Sequence, residues 1–150
     1  MTAAGKERKQ SGGLAYDYDV RGLVEAAREA RLHSYSPYSH FQVGAALLCA
    51  DGSIYTGCNV ENSSYGAACC AERTVFFKAV SEGKRSFRAI AVVGGKKDEE
   101  VLEVCPPCGI CRQVMREFCG SDFAVVLGRS SLDYDIYTLE QLFPLPFDTF

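Results

Sequence analysis

Cys108 and Cys111 stand three residues apart, behind Pro107 and at the start of a run with helical patterning, Gly109 to Phe118. A proline ahead of such a run puts both sulfurs near a helix N-terminus. The positive end of the helix dipole lowers thiol pKa values there and favours the thiolate, the form that binds metal. By itself the C-x-x-C pair leaves a metal site, a redox couple and coincidence open. Cys105, three residues earlier, adds another sulfur at the same spacing. Cys70 opens a second helical stretch, and Glu72 follows two residues later. Three thiolates with one open position describe a catalytic zinc site, whereas four protein ligands describe a structural one. A nearby carboxylate that does not ligate is the proton acceptor that hydrolytic metal chemistry needs. Three thiolates on one zinc leave a net negative charge, which a cation beside the sulfurs would offset. Arg73 and Arg112, each one residue past a site residue, are placed to supply it, although Arg112 reads equally as a structural or helix-surface arginine.

These residues need elements to carry them. Residues 19–34 place Val20, Leu23, Val24, Ala27 and Ala30 at helical spacing with Asp19 as N-cap. Residues 41–60 read as two strands joined at Asp51-Gly52, a hairpin signal. The stretch from Cys69 to Gly83 is predicted helical, stopping at its glycine. Residues 87–95 and 122–128 are nearly continuous apolar runs, as expected of strands covered on both faces. Residues 134–147 suggest a strand, a short helix and an extended proline-containing tail. Helix, hairpin, then alternating helix and strand imply a three-layer α/β/α sandwich with a mixed central sheet.

The 150 residues suit one domain, read here as residues 17–150 behind a flexible tail over residues 1–16. A composition 47% hydrophobic and 23% charged is that of an ordinary soluble globular protein. The formal charge of -3, with no dense Lys/Arg block, argues against a nucleic-acid polymer as partner. No run approaches the roughly 18 apolar residues of a membrane span. The first residues lack the apolar stretch of a signal peptide, so a cytoplasmic location is expected. In that compartment eight cysteines point to ligation or burial rather than to a disulfide framework.

Cys70-Ala71-Glu72 followed by Pro107-Cys108-Gly109-Ile110-Cys111 has the signature of the zinc deaminases, with Cys in the first ligand position. The chain resembles the small three-cysteine cytidine deaminases that act on free nucleosides. The resemblance extends through "YSPYSHFQVGAALL", "GCNVEN", "CAERT", "KAVSEG", "FRAIAV" and "PCGICRQVMREF", in order and at that family's spacing. It implies the cytidine deaminase-like fold and one Zn2+ per chain, held by Cys70, Cys108 and Cys111. Cys69 and Cys105 are then bystanders to the metal. Glu72 becomes the catalytic proton carrier, and Arg73 the compensating cation.

The substrate side is implied in the same way. Asn59 and Glu61 alternate onto one face, and an amide beside a carboxylate suits a sugar hydroxyl, though an exposed strand end would look the same. The resemblance assigns them to the ribose, Phe41 to the pyrimidine ring, and Ala71 and Pro106 to further substrate contacts. Relatives carry Ser or Thr where Pro106 stands, and use its carbonyl to accept from the amino group. Proline keeps that carbonyl and loses only its N–H. Phe147 matches a phenylalanine that these enzymes lend to a neighbouring subunit, with Phe143 and Phe150 as competitors, and a homotetramer is implied.

The activity implied is hydrolytic deamination of cytidine and 2′-deoxycytidine to the uridines, with release of ammonia, in pyrimidine salvage. Two other readings stay on the page. Blasticidin S deaminases share C-A-E and P-C-x-x-C-R-Q. A non-catalytic zinc module would complete a four-sulfur site with Cys69 or Cys105.

Overall fold

A computed structural model describes residues 16–100 and 102–149. The tail expected over residues 1–16 therefore lies outside the described residues up to residue 15, as does Phe150. Asp19 starts the first helix, α1 (Val20–Arg31), by accepting from the Gly22 N–H at 2.9 Å. The chain then turns into β1 (Phe41–Cys49), which pairs antiparallel with β2 (Ile54–Cys58) through a turn at Gly52, where φ is +87°. That value favours glycine, because side chains rarely adopt this left-handed backbone conformation.

α2 (Ala71–Ser81) ends as its sequence predicts: Gly83 takes a φ of +92°, its N–H bonds to Val80 O, and the Lys84 N–H reaches back to Ala79 O. That pair of bonds is the Schellman closure of a helix. β3 (Phe87–Lys96), α3 (Gly109–Phe118), β4 (Ala124–Ser130), β5 (Asp133–Thr138) and the single-turn α4 (Leu139–Leu142) complete the order. The sheet runs β2-β1-β3-β4-β5. β3 and β4 are parallel, with α3 on the connection between them, and every other pair is antiparallel. A parallel pair needs such a crossover, which a tight turn cannot supply.

Alternation along the strands makes the two faces. Ala46 and Leu48 of β1, Ala89, Ala91 and Val93 of β3, and Val126 of β4 pack beneath α1. Ala45, Leu47, Ile90, Val92, Val125 and Leu127 face the other way, toward Val75 and Phe76 of α2 and Met115 of α3. This is why the central strands read as unbroken apolar runs: neither face meets water. The expected three-layer architecture with a mixed sheet is present. Each fully buried Leu, Val or Phe contributes about 1.5–3 kcal/mol relative to exposure.

Two features lock α1 to the sheet. A Cβ on Gly44 would lie 2.0 Å from Ala27 O and 2.4 Å from the Arg31 N, so helix and strand meet there backbone to backbone. Arg31, the last residue of the helix, is itself buried. It donates to Gln42 O (3.3 Å), Gly95 O (3.2 Å) and Lys96 O (3.0 Å), tying the start of β1 to the end of β3.

Candidate active site

α2 and α3 bring their N-termini together on one face of the sheet. Cys70 and Cys108 are the N-cap residues of these helices, and Cys111 lies in the first turn of α3. Their sulfurs all fall within 4.8 Å of one another, with Cys108–Cys111 at 3.4 Å and Cys70–Cys108 at 3.9 Å. This is the one cluster of three metal-ligating side chains among the described residues, and neither Cys69 nor Cys105 belongs to it. None of the three is in a disulfide.

The electrostatics suit a cation. A hydrogen bond from Cys111 lowers the pKa of the Cys70 thiol against the cost of its burial, with Arg73 and Cys108 acting in the same direction. The same contact, together with burial, pushes Cys111 up. Arg73 donates from Nη2 to the Cys70 sulfur at 3.5 Å, and that contact makes its guanidinium hold its proton more firmly. Soft sulfur donors, two helix N-termini and a nearby cation fit zinc, and a three-sulfur cluster with no fourth ligand among the described residues matches a site that keeps one open position. Cys105, by contrast, is pushed up to about 12, first by burial and then by the negative charges of Glu72 and Cys70. It stays a neutral thiol.

Glu72 projects from the first turn of α2 and is only 4% exposed. Burial raises its pKa to about 7, with the Cys70 charge adding to the effect. It is not part of the sulfur cluster but lines the same cavity, together with Cys70 and Cys108. That cavity holds about 300 Å³, at the lower end of the roughly 300–1,000 Å³ typical of small-molecule pockets.

Other residues singled out from the sequence fall inside or outside this cavity. Asn59, Glu61, Ala71 and Pro106 line it, and so do Cys69 and Cys105. Phe41, 37% exposed, is not in the lining; its ring packs at Gly94 beside Cys105. Phe147 is 67% exposed and also outside, its carbonyl accepting from Gln113 Nε2 at 2.7 Å. Arg112 is not a partner of the sulfurs. Its guanidinium donates from Nε to Pro107 O at 2.8 Å and from Nη1 to Leu142 O, so it braces the ligand loop against α4. Of the two candidates only Arg73 contacts a cluster sulfur among the described residues.

Sequence reasoning did not single out several contributors. Val43, Val60, Tyr65 and Ala68 line the cavity, Tyr65 being 84% exposed. Ser34 donates to Asn59 Oδ1 at 2.5 Å. Nothing in their local sequence marks them, since each acts across the junction of segments far apart in the chain.

Comparison with known proteins agrees with this geometry. Residues 19–127 match the family described as "Cytidine and deoxycytidylate deaminase zinc-binding region". A cytidine deaminase of Halalkalibacterium halodurans is 51% identical over 126 residues, covering 84% of this chain and 92% of the relative. The crystal structure of cytidine deaminase from Burkholderia pseudomallei superimposes with a TM-score of 0.76 at 46% identity, over 84% of this chain and 97% of the other. A blasticidin-S deaminase of Bacillus cereus is more distant, 30% identical over 83% of this chain and 89% of its own.

Proposed function

The chain belongs to the cytidine and deoxycytidylate deaminase family, and from that premise we propose that it is a zinc-dependent hydrolase converting free cytidine and 2′-deoxycytidine to the uridines and ammonia. The observation that carries this reading is a buried Glu72 that stands outside the three-sulfur cluster and lines one cavity with Cys70 and Cys108.

Cys70, Cys108 and Cys111 would hold the zinc, with Arg73 balancing their charge. When bound, the metal lowers the pKa of water from 15.7 toward about 7 and so makes it a nucleophile at neutral pH. Glu72 takes a proton from the incoming water and gives it to ring N3, which makes C4 more electrophilic. The resulting hydroxide adds to C4; Glu72 then takes the remaining hydroxyl proton to the exocyclic amine, and the C4–N bond breaks as C4=O forms, so that nitrogen leaves as ammonia. A group that must both accept and donate works best with a pKa near the operating pH, and burial moves Glu72 in that direction. Pro106 O is assigned to accept from the amino group, and Ala71 to contact the base from the first turn of α2. Phe41 is assigned to the pyrimidine ring from the cavity's edge.

The finer assignments complete the proposal. Residues 17–150 act as one catalytic domain. Phe147, exposed and outside its own cavity, reaches the site of a neighbour in a homotetramer, and light scattering of the purified protein tests the assembly. The enzyme serves pyrimidine salvage in the cytoplasm. No helix among the described residues is long and apolar enough to cross a membrane.

The test is the ultraviolet absorbance of zinc-replete protein incubated with cytidine. A falling cytosine band matched by ammonia release supports the reading. No turnover of cytidine, with turnover of blasticidin S instead, overturns it.

A further inference from the structure

Asn59 is held more tightly than a surface amide at a strand end would be. Its Oδ1 accepts from the Val43 N–H at 2.8 Å and from the Ser34 hydroxyl at 2.5 Å, while its Nδ2 donates to Phe41 O at 2.9 Å. A backbone N–H can only donate and a backbone carbonyl can only accept, so these partners fix which end of the amide is oxygen. Both lone pairs of Oδ1 are filled. What remains is a single Nδ2 hydrogen with no acceptor among the described residues, and no capacity to accept.

Glu61 is its converse. Its Oε1 accepts from the Tyr38 and Ser39 N–H groups at 3.0 and 3.1 Å. The Ser39 side chain and these amides hold the carboxyl below its usual range. An ionised carboxylate is an acceptor only, with about four lone-pair sites. Both side chains line the cavity. The pair therefore presents one donor and one acceptor, the complement of a hydroxyl.

Ser34 lies in the connection between α1 and β1, part-buried, and its neighbour is clamped to the same segment. The Tyr35 N–H donates to Asn59 O at 3.1 Å and the Glu61 N–H to Tyr35 O at 2.8 Å. The hydroxyl is thus delivered to Asn59 by a backbone that already fixes residues 59–61.

We propose that Ser34 is a positioning residue for substrate: by filling the second lone pair of Asn59 Oδ1 it makes the amide a pure donor beside the Glu61 acceptor, and so sharpens recognition of one sugar hydroxyl. The proposal rests on the nucleoside deaminase reading above. Without Ser34, Oδ1 regains an open lone pair. Water or the sugar then competes for it, and the amide loses one of three contacts that hold its orientation.

Steady-state kinetics of Ser34→Ala and Ser34→Thr on cytidine, 2′-deoxycytidine and 3′-deoxycytidine test this. Loss of one hydrogen bond of ordinary strength raises KM for cytidine about three- to tenfold in Ser34→Ala. With binding lost equally from ground and transition states, kcat stays within about twofold. The defect disappears on whichever deoxy analogue lacks the hydroxyl being read, and Ser34→Thr, which keeps a hydroxyl, restores the wild-type KM. An equal loss on all three substrates would make Ser34 merely structural and overturn the proposal, as would no loss on any. Failure of the wild-type protein itself to turn over cytidine would instead sink the deaminase reading and this one with it.

Discussion

Arg73 reaches the Cys70 sulfur with Nη2 at 3.5 Å while its own Nε lies buried without a hydrogen-bond partner. The guanidinium, one contact short, is held beside the sulfurs by that bond. Groups that support metal ligands are typically worth about 10–100-fold in metal affinity or activity. Arg73→Ala should show a loss of that size, read by zinc competition with a chromophoric chelator and by kcat/KM. Unchanged values for both would mean that the thiolates need no compensation.

Glu72→Gln keeps the size and removes the titrating group. Turnover should fall by about 10²–10⁴, the usual worth of a positioned general acid–base. Zinc content, measured by atomic absorption, should not change, because the carboxylate stands outside the sulfur cluster. Zinc lost along with activity would make Glu72 a ligand.

Gly44→Ala tests the contact between α1 and β1. The added methyl would stand 2.0 Å from Ala27 O, where backbone on both sides leaves no side chain to move. A cost of about 3 kcal/mol is expected, at the upper end for overpacking. For a chain of this size that lowers Tm by roughly 2–4 °C per kcal/mol. Gly66→Ala is the control, because a Cβ there meets nothing within 4 Å. Calorimetry showing equal melting of the two variants would remove this contact from the account of stability.

Cys119 should be protected by its protonation as well as by its depth. Burial pushes its thiol up to about 12, so at pH 8 only about one part in ten thousand is thiolate, the reactive form. An unfolded cysteine titrates near 8.5. The folded state therefore holds this proton more tightly, and the associated stability is present below about pH 8.5 and lost as pH rises toward the folded value. Iodoacetamide labelling followed by mass spectrometry should leave Cys119 unmodified in native protein and modify it in denaturant. Fast native labelling would contradict the burial.

Much of the site was legible because its chemistry is local. Cys70 and Glu72 sit two residues apart, and Cys108 and Cys111 lie on one turn, so spacing alone brought each pair together. That Cys70 belongs with Cys108 and Cys111 came from resemblance, and in the structure the three sulfurs lie within 4.8 Å of one another. The central strands were legible because burial on both faces leaves a continuous apolar run. Arg112 was not, since its partner Leu142 O is thirty residues away and carries no mark in its side chain. Arg31 shows the same limit, spending its charge on three carbonyls rather than on an acid. The close approach at Gly44 did leave a signal, a glycine inside a strand pattern, which often marks a neighbouring backbone.

Cys70 and Cys108 occupy helix N-caps without making a side-chain cap bond. Serine, threonine or aspartate is strongly preferred at such a position, and the cap is worth about 1 kcal/mol. Ligation and helix capping thus ask for different side chains at the same two places. A variant library of metal-free protein sorted only for survival of heat would enrich Cys108→Ser or Cys70→Asp and fill with sturdy, inert molecules. Directed evolution of this scaffold has to score turnover in every round, because at these two positions the durable sequence and the working sequence part company.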